Sequence, residues 1–450
     1  MNQLSVPDAR AYLLGLAKNQ GVGLEVYSED ASSTSVKAFA GEVSEFKMSR
    51  RGGLGLRALV NGAFGYSYTE NRSEPALERA FQTAVENASL VAPEGHASFA
   101  AHPEPPHVGD LYGEGLSGVT VDRKVAVAIE LERAAHAADP RVVSVPYMAY
   151  QDGENEYSVA NTAGLERSYK ANYAMQYAAP LLSEGAQNKM SFDFQFTREF
   201  EQLDPTRTAL EAVRKSAAML GARKPPSGTY PAVFEHECMA SLLMSFTGAF
   251  SAKMVQEGKS PIGDKLGQTI GSSLVTLRDD ATRAGGRASR PFDEEGYPSS
   301  PLTLIEAGRL TAFMHNTETA ARAGTHSTGH GTRYSYKSTV IVGSSNFYLE
   351  PGHGTLSDLL SSVQQGVLVT SLHGMHAGVN LVTGDFSLQA DGFWIDNGKT
   401  AHPLENFTVA GNFMEVLSNV DGVADDLKFG MYGGAGSPSV RVSKLSVAGE

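Results

Sequence analysis

Gly53-Leu-Gly-Leu-Arg-Ala-Leu-Val-Asn-Gly-Ala-Phe-Gly-Tyr-Ser-Tyr68 admits two readings that lead to different folds. Gly53, Gly55 and Ala58 spell G-x-G-x-x-A, the outline of a dinucleotide-binding loop. Such a loop must open a helix, whose free N–H groups hold the phosphates. Here the glycines lead instead into alternating apolar sequence on both sides of Asn61-Gly62, a pair that favours a type I′ hairpin turn. The stretch therefore reads as two antiparallel strands, and the doubly wound nucleotide fold is set aside.

Outward from this hairpin, helices and strands alternate without a βαβ rhythm. A helix is expected over Pro7–Asn19, with Gly21 beyond its end, followed by a strand at Leu24–Tyr27 and then polar, Ser-rich sequence. Ser73, Glu74 and Pro75 open a second helix, with Leu77, Ala80, Phe81 and Ala84 on one face. Val91–Val119 reads as a long surface connection. A third helix is expected over Asp122–Ala138, strands over Val142–Leu182 turning near Asn161–Gly164, and a helix from Asp204-Pro205. Arg223-Lys-Pro-Pro-Ser-Gly-Thr229 marks the boundary, dividing the chain at 1–222 and 223–450. Beyond it come a strand at Tyr230–Phe234, a helix at Met239–Phe250 and short strands at Gly308–Phe313, Ser338–Val342, Gly366–Leu372, Gly392–Ile395 and Asn406–Ala410. The fold class is α+β: a mixed α/β N-terminal domain followed by a strand-rich C-terminal domain.

Composition narrows the function. The 450 residues carry 37 Lys and Arg against 50 Asp and Glu, a net charge of −13, which argues against direct nucleic-acid binding. A single cysteine, Cys238, rules out a disulfide framework or a cysteine-rich metal cluster. No apolar run approaches the roughly 18 residues of a membrane span, and Met1–Arg10 lacks a signal-peptide pattern. A cytoplasmic protein with no membrane contact is expected.

Chemistry concentrates at few places. His236-Glu237 lies where a strand passes into a helix, but Ala240 and Ser241 stand where a second zinc-binding imidazole would be needed. With one imidazole, no metal site is expected, and His236 reads as a boundary histidine satisfied by backbone groups. His326 and His330 are four apart, but Gly324, Gly329 and Gly331 break any helix that would pair them. His373 and His376 flank a glycine-bearing turn and are the candidate substrate-facing residues. The acid pairs Asp279-Asp280, Glu294-Glu295 and Asp425-Asp426 read as solvated, since adjacent carboxylates point apart. There is no Walker A sequence and no usable nucleophile elbow.

Several longer strings resemble a known family. They are Pro226–Phe234, Ser245–Ser251, Gly258–Gly267, Asn346–Gly352, Leu372–Asn380, Thr383–Gly398 and Ala410–Asn412, with a looser match through Gly41-Glu-Val43, Gly53–Arg57 and the Asn61 hairpin. Together they resemble the PmbA (TldE) branch of the TldD/PmbA family, described as modulators of DNA gyrase and as metallopeptidase-like proteins. In that family the TldD branch holds zinc with H-E-x-x-x-H and a C-terminal cysteine, the motif Glu acting as general base. Here His236 and Glu237 match the start of the motif, Ser241 replaces its second histidine, and Gly430–Gly436 has no cysteine. The resemblance implies a non-catalytic subunit without a cofactor of its own. It also implies a zinc-bearing TldD-type partner, unfolded peptides as substrate, and a homodimer when the chain is alone. Two alternatives stay open: an autonomous peptidase with a non-standard site, and a non-proteolytic protein that modulates gyrase.

Overall fold

The computed structural model describes residues 3–93, 97–431 and 433–449. Helix α1 (Val6–Gln20) begins at Ser5, whose hydroxyl accepts the Asp8 amide, and ends at Gly21 in the left-handed region, φ 65°. Strand β1 (Gly23–Phe39) pairs antiparallel with β2 (Glu42–Val60), and β2 with β3 (Ala63–Thr69). Asn61 and Gly62 between them have φ of 49° and 79°, the positive signs that a type I′ turn requires. Gly53 and Gly55 lie inside β2, where an added Cβ would come within 2.3 Å of Tyr336 in each case. These glycines serve close packing, not phosphate binding.

Strand β1 runs well past Tyr27, the expected end. Its Ser- and Thr-rich second half is paired on both sides, with β2 and with β4 (Val142–Asn161), so its backbone groups are satisfied without an apolar side-chain pattern. The sheet continues through β5 (Glu166–Glu184) to β6 (Gln187–Met190), and β7 (Asp193–Thr197) also pairs with β5, all antiparallel. Helices α1 and α2 (Glu74–Ser89) bury Leu13, Leu77 and Phe81 against Leu24, Leu54 and Leu56 of β1 and β2. Further along the sheet, α3 (Val121–Ala138) and α4 (Pro205–Ala218) bury Leu131, Ala212 and Val213 against Tyr150, Ala174 and Leu182. One sheet thus carries two helix-covered cores. Among the described residues of the connection at 91–119 there is no helix or strand.

After the Pro225-Pro226 boundary, β8 (Gly228–Phe234) pairs parallel with Gln365–His373 and antiparallel with Val440–Ala448. Strands Asp385–Asp396 and Lys399–Asn412 extend this sheet, and the last pairs back onto Val440–Ala448, closing it into a ring. Helix α5 (His236–Phe246) buries Met239, Leu242, Leu243 and Phe246 against Val367, Phe407, Phe413 and Val442. A second sheet, running through Leu277–Asp279, Leu302–Glu306, Phe347–Leu349 and Ala435–Ser437, covers the far side of the helix. The chain is α+β with a strand-rich C-terminal half. Of the strands expected at 308–313 and 338–342, only Arg309–Leu310 and Ile341–Val342 form; the Gly308 and Gly343 amides beside them bond to Val275 and His330, outside any strand. Among the described residues, no helix is long and apolar enough to cross a membrane.

Candidate functional site

The junction between β8 and α5 places the His-Glu pair. The helix starts three residues earlier than its apolar pattern suggests, so His236 and Glu237 form its first turn. Helical spacing then separates two faces. Cys238, Met239, Leu242, Leu243 and Phe246 point into the core, while Glu237, Ser241 and Met244 point out of it.

His236 is only 7% exposed, and its Nδ1 is sealed from solvent with no hydrogen-bond partner. This differs from the expected backbone-satisfied histidine: the helix supplies no acceptor at its own first turn. Burial, reinforced by the nearby Lys428 charge, lowers its pKa to about 4, so the ring is neutral at physiological pH. Glu237 lies 4.0 Å from Lys215 of α4, which is engaged at 2.8 Å by Asp193. Burial raises the Glu237 pKa and outweighs the pull of Lys215. The Ser241 hydroxyl is turned back to the Glu237 carbonyl at 2.9 Å, one helical turn earlier.

Glu237, Cys238 and Ser241 line a cavity of about 470 Å³ between α5, the β6 edge of the first sheet and the closed sheet of the second half. His373 reaches the same cavity from the end of Gln365–His373. Its Nε2 is 2.9 Å from Asp391, whose hydrogen bond raises the histidine pKa despite opposing desolvation. Lys189 of β6 meets Glu405 on the same wall, an ion pair that joins the two halves of the chain. Neither pair is visible in the sequence, because Asp391, Lys189 and Glu405 lie far from their partners along the chain and carry no spacing signal. His376 is exposed, in the short helix Met375–Gly378, and is not among the cavity-lining residues. His373 and Glu237 are therefore brought together at this cavity, whereas neither His236 nor His376 is among its lining residues. His330 is buried, bonded to Asp279 at 3.1 Å and Thr328 at 2.8 Å, which makes it a packing residue. Of the acid pairs, Asp279 and Glu295 are buried rather than solvated, and Glu294 is half-buried. Arg57 and Thr317 hold Glu295, and His330 and Ser345 hold Asp279.

These donors do not fit a catalytic zinc. Ser241 stands five residues after His236, and its hydroxyl is spent on the helix backbone. The Cys238 thiol is buried on the core side, where desolvation raises its pKa far above the ordinary value. Among the described residues, no three His, Cys, Asp or Glu side chains are grouped as metal ligands.

Comparison with known proteins places this geometry. The chain matches the PmbA/TldA metallopeptidase domain 1 over residues 24–88, the central domain over 114–220 and the C-terminal domain over 227–449. It is 26% identical to a Metalloprotease PmbA homolog of Haemophilus influenzae, over 98% of this chain and 95% of that protein. A Metalloprotease TldD homolog of Buchnera aphidicola is also 26% identical, covering 88% and 86%. The crystal structure of a candidate DNA gyrase modulator from Thermotoga maritima superposes with a TM-score of 0.91 at 28% identity, covering 99% and 100%. TldE from Thermococcus kodakarensis shares the fold at a TM-score of 0.87 and 23% identity, covering 98% and 100%. The first sheet, the closed sheet and the helix α5 together make up the architecture of a metallopeptidase-like family matched in three segments. The chain belongs to the PmbA/TldD family.

Proposed function

We propose that this chain is the PmbA/TldE-type, non-catalytic subunit of a two-component peptidase. Its TldD-type partner holds the zinc and its substrates are unfolded peptides. The observation that carries this reading is on α5: the helix keeps Glu237 on the wall of a cavity of about 470 Å³ and His236 buried next to it in sequence, but presents Ser241 where a second imidazole is needed. One imidazole cannot dehydrate and hold zinc tightly. The chain instead offers cavity walls and strand edges, which hold an extended peptide through its backbone. In this reading it works in the cytoplasm, forms a homodimer when alone and a heterodimer with its partner. Gyrase modulation is the second use attached to the family through the Thermotoga relative. A net charge of −13 makes direct DNA contact unfavourable for such a role.

The test is cleavage of an unfolded peptide by this chain alone, by a TldD-type partner alone and by the pair, with zinc content measured in parallel. The expected result is no cleavage by this chain, well under one equivalent of zinc after mild chelation, and more activity from the pair than from the partner. His236→Ala and Glu237→Gln are expected to leave the activity of the pair nearly unchanged. Cleavage by this chain alone, abolished by Glu237→Gln, would establish the autonomous reading in its place.

A further inference from the structure

The far half of β2 is a bare sheet edge. Strand β3 covers β2 only from Leu54 to Val60, so residues 42–53 pair with β1 on one side and with no strand on the other among the described residues. Every second residue of this stretch turns its N–H and C=O away from β1, as an antiparallel ladder requires. Residues 39–51 are all exposed, Phe39, Val43, Phe46 and Met48 among them, with Met48 at 68%. The register sets Val43 opposite Ala38, Phe46 opposite Val36 and Met48 opposite Thr34. Opposite residues share a face, so these three apolar side chains continue the face on which Val36 and Ala38 join the core under α3.

This edge is held in place. Glu132 of α3 is 5% exposed and accepts the Ala40 and Gly41 amides at 2.8 and 2.9 Å, which ties down the turn between β1 and β2. Ser33 and Ser49 meet across the ladder at 2.8 Å. A bulge interrupts the pairing where Lys37 faces Glu45 and Ala38 faces Val43, and from Glu45 onward the register is unbroken.

A free, ordered edge is a template for another strand, and natural chains blunt it with proline, with charges or with a cover. Residues 42–53 contain no proline, and their charges separate by sign along the strand: Glu42 and Glu45 come first, then Lys47, Arg50 and Arg51. An antiparallel copy of the same strand therefore sets the acids of each beside the bases of the other. A two-fold axis through such a pair puts one residue opposite its own copy. Like charges directly opposite are destabilising, which rules out an axis at Glu45, Lys47, Arg50 or Arg51, and also at Ser49, where Lys47 would face Arg51. An axis at Met48 would set Glu42 opposite Leu54, whose outer side Thr69 of β3 already occupies. Phe46 remains. There Glu45 faces Lys47 twice, Glu42 lies toward Arg50 twice, the two Phe46 rings adjoin, and each hairpin tip stops short of the other copy's β3.

We propose that residues 42–53 of β2 form the interface of the homodimer: a second copy of this chain pairs antiparallel on the same edge, about a two-fold axis at Phe46, so that the first sheets of the two copies run on as one. That a homodimer forms rests on the subunit reading above; its surface and register rest on the pairing and charge pattern of β2.

The test uses the full chain at micromolar concentration. Sedimentation velocity gives the mass, and a short bis-maleimide reports which residues face their own copy. Cys238 is buried, so the wild type is expected to stay uncross-linked. Phe46→Cys is expected to give covalent dimers, and Val143→Cys, equally open to solvent but on β4, none. Lys47→Glu places like charges opposite each other twice and is expected to weaken the dimer at least about tenfold. The swap Glu45→Lys with Lys47→Glu restores opposite charges and is expected to recover most of that loss, which a merely unfolded variant would not do. Cooperative thermal unfolding checks each variant; if Lys47→Glu does not fold, cross-linking at Phe46→Cys decides. A dimer that neither cross-links at residue 46 nor responds to Lys47→Glu would overturn this surface and leave the homodimer standing. A monomeric wild type would overturn both. Peptide cleavage by the pair with a TldD-type partner is measured separately, so the peptidase reading stands or falls on its own.

Discussion

Replacing Glu25 by glutamine is expected to be among the most damaging single changes outside the hydrophobic cores. Glu25 on β1 stands directly opposite Arg57 on β2 and accepts from its Nη2 at 2.7 Å. Its other oxygen accepts from Arg333 at 2.7 Å, and Arg57 reaches on to Glu295, also at 2.7 Å. All four side chains are at most 4% exposed. Two carboxylates and two guanidiniums thus balance, with Thr317 capping Glu295 and the rings of Phe64 and Phe99 flanking Arg57. The quartet ties the first sheet to the loops of the second half. Glu25→Gln leaves two buried cations facing one anion, a change that typically costs about 3–5 kcal/mol. Against a total stability on the order of 5–15 kcal/mol, that is a large fraction. The assay is urea denaturation at neutral pH, with Glu45→Gln as control. Glu45 pairs with Lys37 at 3.0 Å in the open, where such pairs contribute about 0–1 kcal/mol. Adding Arg333→Met to Glu25→Gln rebalances the charge, so the double variant should lose less than the sum of the singles. A loss for Glu25→Gln no larger than the control's, or strict additivity in the double variant, would refute the reasoning.

Two histidines give opposite pH effects. His236 stays neutral down to about pH 4, whereas an unfolded imidazole takes up its proton near 6.5. Unfolding therefore binds a proton between those values, so this group's contribution rises with pH across the window, by up to about 3 kcal/mol. His236→Gln should flatten the stability profile between pH 4 and 6.5, and an unchanged slope would count against the buried neutral ring. His373 behaves oppositely: its pKa is raised by the Asp391 hydrogen bond, so its contribution is present at low pH and is lost as pH rises through the folded-state value. NMR titration should place its midpoint above 6.5 in the wild type and bring it down in Asp391→Asn.

How much of the fold is legible in the sequence depends on the range of each interaction. Asn61-Gly62, Ser73-Glu-Pro75 and Asp204-Pro205 act on their own neighbours, and each produces the turn or helix start expected of it. The extent of β1 is not legible, because Ser32–Ser35 form a strand only through partners at 47–50 and 151–154. The cavity shows the same divide. Ser241 in place of an imidazole can be read from spacing on one helix, but Asp391 beside His373 and Lys189 beside Glu405 arise from sheet pairing. The burial of Glu295 escapes a sequence reading for the same reason: adjacent carboxylates do point apart, but Arg57 waits for this one from 238 residues away.

Helix α5 presents two faces that differ in how tightly packing constrains them. Its core face, Cys238, Met239, Leu242, Leu243 and Phe246, packs inside the closed sheet, and the stacking of Phe246 on Phe413 at 4.4 Å anchors its end. Its outer face, Glu237, Ser241 and Met244, contributes little to that packing. A substitution at Ser241 on the outer face therefore opens no hole in the core and costs far less than the roughly 2–5 kcal/mol of a truncated core leucine. The two faces are free to diverge independently. That independence is consistent with one chain standing at 26% identity to both a PmbA and a TldD relative while keeping the whole architecture. It also means that restoring an imidazole by Ser241→His leaves the site incomplete, since no third donor is grouped with it among the described residues.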